Sequence, residues 1–161
     1  IIFGGGQQMG FRSGTENVPG IAGIGQASKD CYDNLEHNVE IMTNLKDKLI
    51  DSLEAIEGVT VNSRKGNLGA PHIVSASFKG VRSEVLLHAL EDKGIYISAG
   101  SACSSNRPAV SSTLKAMGIY KDLLESTVRF SFCEFNTEEE VDYAVGEIKQ
   151  LLPILRKYVR R

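Results

Sequence analysis

The chain has 161 residues, 42% of them hydrophobic and 24% charged. That is the composition of one globular domain long enough to bury a sizeable core. A formal net charge of −2 argues against nucleic acid or an anionic membrane as the partner. No apolar run is long enough to cross a bilayer, and no signal-peptide pattern opens the chain.

Residues 1–17 are glycine-rich and polar and read as a loop of tight turns. Pro19 then opens a helical pattern, with Pro favoured in a first turn. Its apolar stripe runs Ile21, Ile24, Cys31, Leu35, Val39, Met42, Leu45, Leu49, Leu53 and Ile56, at helical spacing, and Gly58 ends it. A helical span over 18–57 either bridges two bodies or is two helices in sequence. Beyond it, Val59–Val61 is predicted as a short strand, 64–70 as a glycine-rich turn and Ile73–Phe78 as an alternating strand. Ser83 is expected to cap a helix to about Asp92, with Val85, Leu86, Ala89 and Leu90 facing in. Gly94 closes it, and Ile95–Ile97 is predicted as a strand. A short helix follows from Ser111 to Met117, then an alternating strand from Thr127 to Phe132. Thr137 and Glu140 form a capping-box pattern that opens the last helix. Strands and helices mixed over short connections predict an α+β fold, with a small, mostly antiparallel sheet and helices on one face.

Three cysteines, Cys31, Cys103 and Cys133, are too widely spaced for a disulfide framework or a zinc site. A reducing cytoplasm is the expected compartment, and no metal is expected. Cys31 lies on the apolar stripe and is expected in the core. Cys133 ends a strand beside Glu134, whose charge disfavours a thiolate. Cys103 differs from both. It sits in Ser98-Ala-Gly-Ser-Ala-Cys-Ser-Ser-Asn-Arg-Pro108, where its neighbours from Ala99 to Ser105 are Gly, Ala or Ser. No bulky side chain is at hand to pack the sulfur away, which suits an open, travelling nucleophile. Arg107 and the helix beginning near Ser111 are nearby features that lower a thiol pKa. Arg129 is the second candidate. Alternation sets it on the strand face opposite Val128 and Phe130, either as an ordinary solvent-facing arginine or as a bidentate carboxylate ligand. The turn Arg12-Ser-Gly-Thr15 is the third, because glycine-turn amides and a Thr hydroxyl can bind phosphate. Of His37, His72 and His88, only His72, at a strand entrance, stays on the list.

Several segments, taken in order, resemble the cysteine desulfurases, pyridoxal-phosphate enzymes of the class V aminotransferase group. They are Gly4-Gly-Gly-Gln7, Arg12-Ser-Gly-Thr-Glu-Asn-Val-Pro-Gly20, the run from Val74 to Leu90, Ser98-Ala-Gly-Ser-Ala-Cys-Ser-Ser105, Leu114-Lys-Ala-Met-Gly118 and Val128-Arg-Phe-Ser-Phe132. The cysteine segment is similar to the branch with the longer loop, which supplies sulfur for iron–sulfur clusters and thio-modification. The resemblance implies that Cys103 attacks the sulfur of L-cysteine, leaving alanine and a Cys103 persulfide for an acceptor protein. It implies that Arg129 holds the substrate carboxylate. It further implies that Thr15 contacts the cofactor phosphate of a neighbouring subunit, and hence a homodimer.

The family's Schiff-base lysine precedes the glycine turn, and no lysine here matches it. The chain also begins Ile-Ile-Phe-Gly without an initiator Met. It is therefore read as the C-terminal piece of a longer enzyme, expected to bind no pyridoxal phosphate and to be inactive alone. Residues 1–17 are the expected remnant of the large cofactor domain, 18–57 the connecting helix region, and 58–161 the small C-terminal domain of a fold-type I enzyme. Cys133 stands where many members have Gly, which is read as neutral. The runners-up are selenocysteine lyase or another class V pyridoxal enzyme, and a non-catalytic sulfur-carrier or docking domain.

Overall fold

The computed structural model describes residues 2–99 and 111–158, so Cys103 and Arg107 lie outside the described residues. The chain divides into two compact units, one ending at Glu36 and the other beginning at His37.

The first unit is a turn-rich loop followed by a helix. Ile2 bridges Arg12, and a single 3-10 turn, Gln7–Gly10, passes through left-handed backbone at Gln8 and Met9. Helix α1, Val18–Asp33, is capped by the Asn17 side chain, which accepts from the Gly20 amide at 3.1 Å. Asn34 interrupts the helical pattern, its side-chain amide donating back to the Asp30 carbonyl at 2.9 Å. Helix α2, Leu35–Glu54, begins immediately after it, so the stripe is carried by two helices in sequence. Helix α1 buries no residue. Cys31, expected in the core, is exposed, because the spacing that puts it on an apolar stripe does not supply a surface for that stripe to enter.

The second unit is an α+β layer. Four strands, β1 (Val59–Val61), β2 (Ile73–Phe78), β3 (Ser98–Ala99) and β4 (Thr127–Ser131), form one antiparallel sheet in the order β1-β2-β4-β3. Helices α3 (Ser83–Glu91), α4 (Ser112–Ala116) and α5 (Glu138–Leu155) complete the unit. Register sets Val74 opposite Phe130 and Ala76 opposite Val128, so these four share one face, and all are buried. They join Leu45, Leu49, Ile50 and Leu53 of α2, Leu86 and Leu90 of α3, and Val141, Val145, Ile148 and Leu152 of α5 in one apolar cluster. Burying a Leu, Ile or Val side chain contributes about 1.5–3 kcal/mol, so this cluster holds the sheet to its helices. Helix α5 starts with the expected capping box, Thr137 Oγ1 accepting from Glu140 N and the Glu140 carboxylate from Thr137 N.

Three local expectations are corrected. Arg82, in extended backbone, occupies the N-cap of α3, and Ser83 is already helical. Val85 is 47% exposed while Leu86 and Leu90 are fully buried, since the core reaches only a narrow arc of this short helix. Ile95–Ile97 is not a strand. The Ile95 amide turns back to the Leu90 carbonyl as the end of α3, and ladder pairing starts only at Ser98, opposite Arg129. Ile95 and Ile97 still pack against the core, which accounts for their apolar alternation without any need for strand pairing.

Candidate functional site

The strand alternation that buries Val128 and Phe130 places Arg129 on the opposite face of the sheet. Apart from Ile73, opposite Ser131 at its edge, the paired residues of that face are polar. Asn62, just past β1, has its amide on the Ser75 carbonyl. Ser75 stands opposite Arg129, and Arg129 opposite Ser98. One row across the four strands therefore reads Asn62, Ser75, Arg129, Ser98. The row beside it reads Thr60, Ser77, Thr127.

Arg129 is exposed, and Nη2 approaches Ser98 Oγ at 3.5 Å. Among the described residues no carboxylate forms an ion pair with it. A guanidinium presents five N–H donors in a planar fork suited to a carboxylate. Here that fork is flanked by small hydroxyl side chains and carries its positive charge unspent. Strand β3 runs directly into the segment that contains Cys103.

A hydrogen-bond ladder links the neighbouring row to Asn62. Thr127 Oγ1 donates to the Leu123 carbonyl at 2.7 Å, Ser77 Oγ lies 2.7 Å from Thr127 Oγ1, and Asn62 Nδ2 donates to Ser77 Oγ at 3.0 Å. Ser77 and Thr127 are buried, beneath the Lys121–Ser126 turn that packs on β2. A cavity of about 590 Å³ opens elsewhere in this unit, walled by Ile95, Ile97, Phe130, Phe132, Val141 and Tyr143 among others. Arg129 takes no part in it, because the walls come from the apolar face and the helix beyond it.

Thr15 belongs to the first unit. Its turn is held from within. Arg12 donates to the Gly14 and Thr15 carbonyls at 2.7 and 3.3 Å, and to Glu16 Oε1 at 3.0 Å. Gly14, at φ +103°, adopts backbone that a side chain would strain. Gln8 Nε2 also donates to Glu16 Oε1. That bond first, then the backbone amide of Glu16 and the Arg12 charge, holds the Glu16 carboxyl below its ordinary pKa. The Gly14 amide is taken by Gln7 Oε1 at 3.3 Å, and Thr15 is exposed.

Among the described residues Thr15 offers a hydroxyl of the kind that fits the phosphate of pyridoxal phosphate, and five lysines are already engaged. Lys46 is buried with Nζ on the Gly66 carbonyl. Lys29, Lys48, Lys65 and Lys93 are paired with carboxylates.

The remaining candidates are readily placed. His72 and His37 are exposed, and His88 Nδ1 lies 3.1 Å from Glu91 on the surface of α3. Cys133 is exposed, with Sγ 3.5 Å from Asn136 Oδ1. Helix α4 is capped by Ser111, whose Oγ takes the Leu114 amide. No described helix is long and apolar enough to cross a membrane. Strand alternation put Arg129 on the face away from the core but did not show its setting. Ser75 and Ser77 alternate with Val74, Ala76 and Phe78, which signals a polar face without showing that Arg129 lies opposite it.

Residues 5–144 match the family model described as aminotransferase class-V. The chain is 39% identical over 157 residues to a Vibrio cholerae protein named cysteine desulfurase IscS, covering 96% of this chain and 38% of that relative. It is also similar to a solved NifS-like protein, with a TM-score of 0.81, 34% identity, and coverage of 96% of this chain and 39% of that one. A NifS-like protein from Rickettsia africae gives a TM-score of 0.78, 25% identity, and coverage of 95% and 39%. The chain thus spans less than two-fifths of the length of the relatives it matches.

Proposed function

The chain belongs to the aminotransferase class-V family, and from that membership we propose that it is the substrate-docking and sulfur-handling part of a cysteine desulfurase. The observation that carries this reading is Arg129, a guanidinium without a carboxylate partner among the described residues, on the polar face of the sheet. It stands opposite the strand that leads into the Cys103 segment. A free fork of donors binds an amino-acid carboxylate, and a thiol beginning four residues past β3 can meet the other end of the same small molecule.

In this proposal Arg129 fixes L-cysteine by its carboxylate and so sets where the substrate sulfur lies. The Cys103 thiolate attacks that sulfur. The S–S bond forms as the carbon–sulfur bond breaks, and the carbon keeps the electron pair and takes a proton to give alanine. The persulfide on Cys103 then passes its outer sulfur to an acceptor protein. Pyridoxal phosphate, when bound in the whole enzyme, supplies the electron sink, and Thr15 is the residue here that would contact its phosphate. The attaching lysine comes from outside this chain, as does the rest of the cofactor domain. Residues 1–17, 18–57 and 58–161 then serve as remnant of that domain, connection and small domain, in a cytoplasmic homodimer.

The test is to supply L-cysteine to the full-length enzyme and to locate the added sulfur by mass spectrometry of peptides. We expect it on Cys103, with loss of the label in Cys103→Ser. Sulfur on Cys31 or Cys133 instead refutes the assignment, and alanine release by the 161-residue chain alone refutes the division of labour.

A further inference from the structure

The hydroxyl ladder beside Arg129 has a direction, and one carbonyl sets it. The Leu123 oxygen can only accept, so Thr127 spends its single hydroxyl hydrogen there. Ser77, 2.7 Å from Thr127 Oγ1, must then donate to it. Ser77 Oγ has no second hydrogen, so the atom of Asn62 facing it at 3.0 Å is the amide nitrogen, which fixes the orientation of that amide. The same nitrogen approaches Ser75 Oγ at 3.3 Å, so Ser75 also accepts. Its own hydroxyl hydrogen is left over, and it finds no acceptor among the described residues.

Ser75 is half-buried and directly opposite Arg129 in the register, on the same face, where facing Cβ atoms stand about 4.5–5.5 Å apart. On the other flank Ser98 Oγ lies near Nη2, steadying one arm of the guanidinium. We propose that Ser75 is a second ligand of the carboxylate held by Arg129, donating the hydroxyl hydrogen that the ladder leaves unspent. The ligand class is the carboxylate of an α-amino acid, and the inference rests on the reading of Arg129 given above. The ladder from Leu123 through Thr127, Ser77 and Asn62 is the positioning device. It places a donor on one Ser75 lone pair and leaves the hydroxyl hydrogen free, so that Ser75 meets an anion as a donor.

The experiment is steady-state kinetics with L-cysteine on the full-length enzyme. Ser75→Ala is expected to raise KM roughly tenfold, the worth of one hydrogen bond to a charged group, with kcat held within about twofold. Ser75→Thr, which keeps the hydroxyl, is expected to restore KM. Val74→Ala, on the buried face of the same strand, is expected to lower the melting temperature and leave KM unmoved. An unchanged KM in Ser75→Ala, alongside a raised KM in Arg129→Gln, overturns the role of Ser75 and leaves that of Arg129 standing. An unchanged KM in Arg129→Gln removes the premise itself. A raised KM that Ser75→Thr does not restore assigns the effect to packing and overturns the proposal.

Discussion

Replacing Thr127 by Val tests the buried ladder on which the polar face depends. Valine keeps the shape of threonine and removes the hydroxyl. Leu123 O loses the bond at 2.7 Å but still accepts from Ser126 Oγ at 3.0 Å, so the carbonyl stays satisfied. The damage falls on Ser77, whose hydroxyl is fully buried and is left with nothing to donate to. A buried donor without a partner costs about 1–3 kcal/mol, and roughly 2 is expected for Thr127→Val. Ser77→Ala is milder. Asn62 is only half-buried and can turn to water, and Thr127 keeps its bond to Leu123, so about 1 kcal/mol is expected. In the double variant the orphaned donor no longer exists. Its cost should fall short of the sum by about 1 kcal/mol, a coupling large enough to measure. Urea unfolding of the four proteins reads this directly. With a slope of about 2 kcal/mol per molar, Thr127→Val moves the midpoint down by about 1 M. Strictly additive single variants, or a Thr127→Val midpoint within about 0.2 M of the parent, would refute the ladder and the donor direction drawn from it.

Two further outcomes are expected. Leu86→Ala, at a position with no exposed surface on α3, should cost about 2–5 kcal/mol, whereas Val85→Ala on the same helix, 47% exposed, should leave the urea midpoint nearly unmoved; equal losses would contradict the packing. The Glu140 carboxyl is held below its ordinary value by the Asn136 side-chain amide first and the Thr137 backbone amide second. A carboxyl depressed in the folded state stabilises the fold above its unfolded pKa, near the ordinary glutamate value of 4.5, and that contribution is lost as pH falls through the lower folded value. Glu140→Gln should flatten the acid limb of a stability-against-pH curve, and an unchanged limb would count against the capping box as an acid-sensitive element.

Much of this molecule follows from local pattern. The alternation of Thr127 to Phe132 assigned Arg129 to the face away from the core before any partner strand was known, because successive strand residues point to opposite sides. The capping box at Thr137 and the ends of α3 at Gly94 and α4 at Ser111 are satisfied by atoms within a few residues, so sequence contains all the parties. Fold class and family were legible for the same reason, since strands, helices and the Cys103 segment each announce themselves locally.

What local pattern could not reach is whatever depends on a partner distant along the chain. The periodicity that joined Ile21, Ile24 and Cys31 to the stripe of α2 is a statement about one face of a helix, and α1 leaves that face exposed. Ile95–Ile97 alternates like a strand, but strand identity requires ladder bonds, and those begin only at Ser98. Above all, Ser75, Ser98 and Asn62 are separated from Arg129 by tens of residues and meet it only through the antiparallel register of four strands. Sequence alone determined that an arginine faces away from the core and that a thiol lies in a segment of small residues. Only the tertiary structure decided which hydroxyls surround that arginine and which way their hydrogens run, because hydrogen-bond direction is fixed by the full set of donors and acceptors brought together in space.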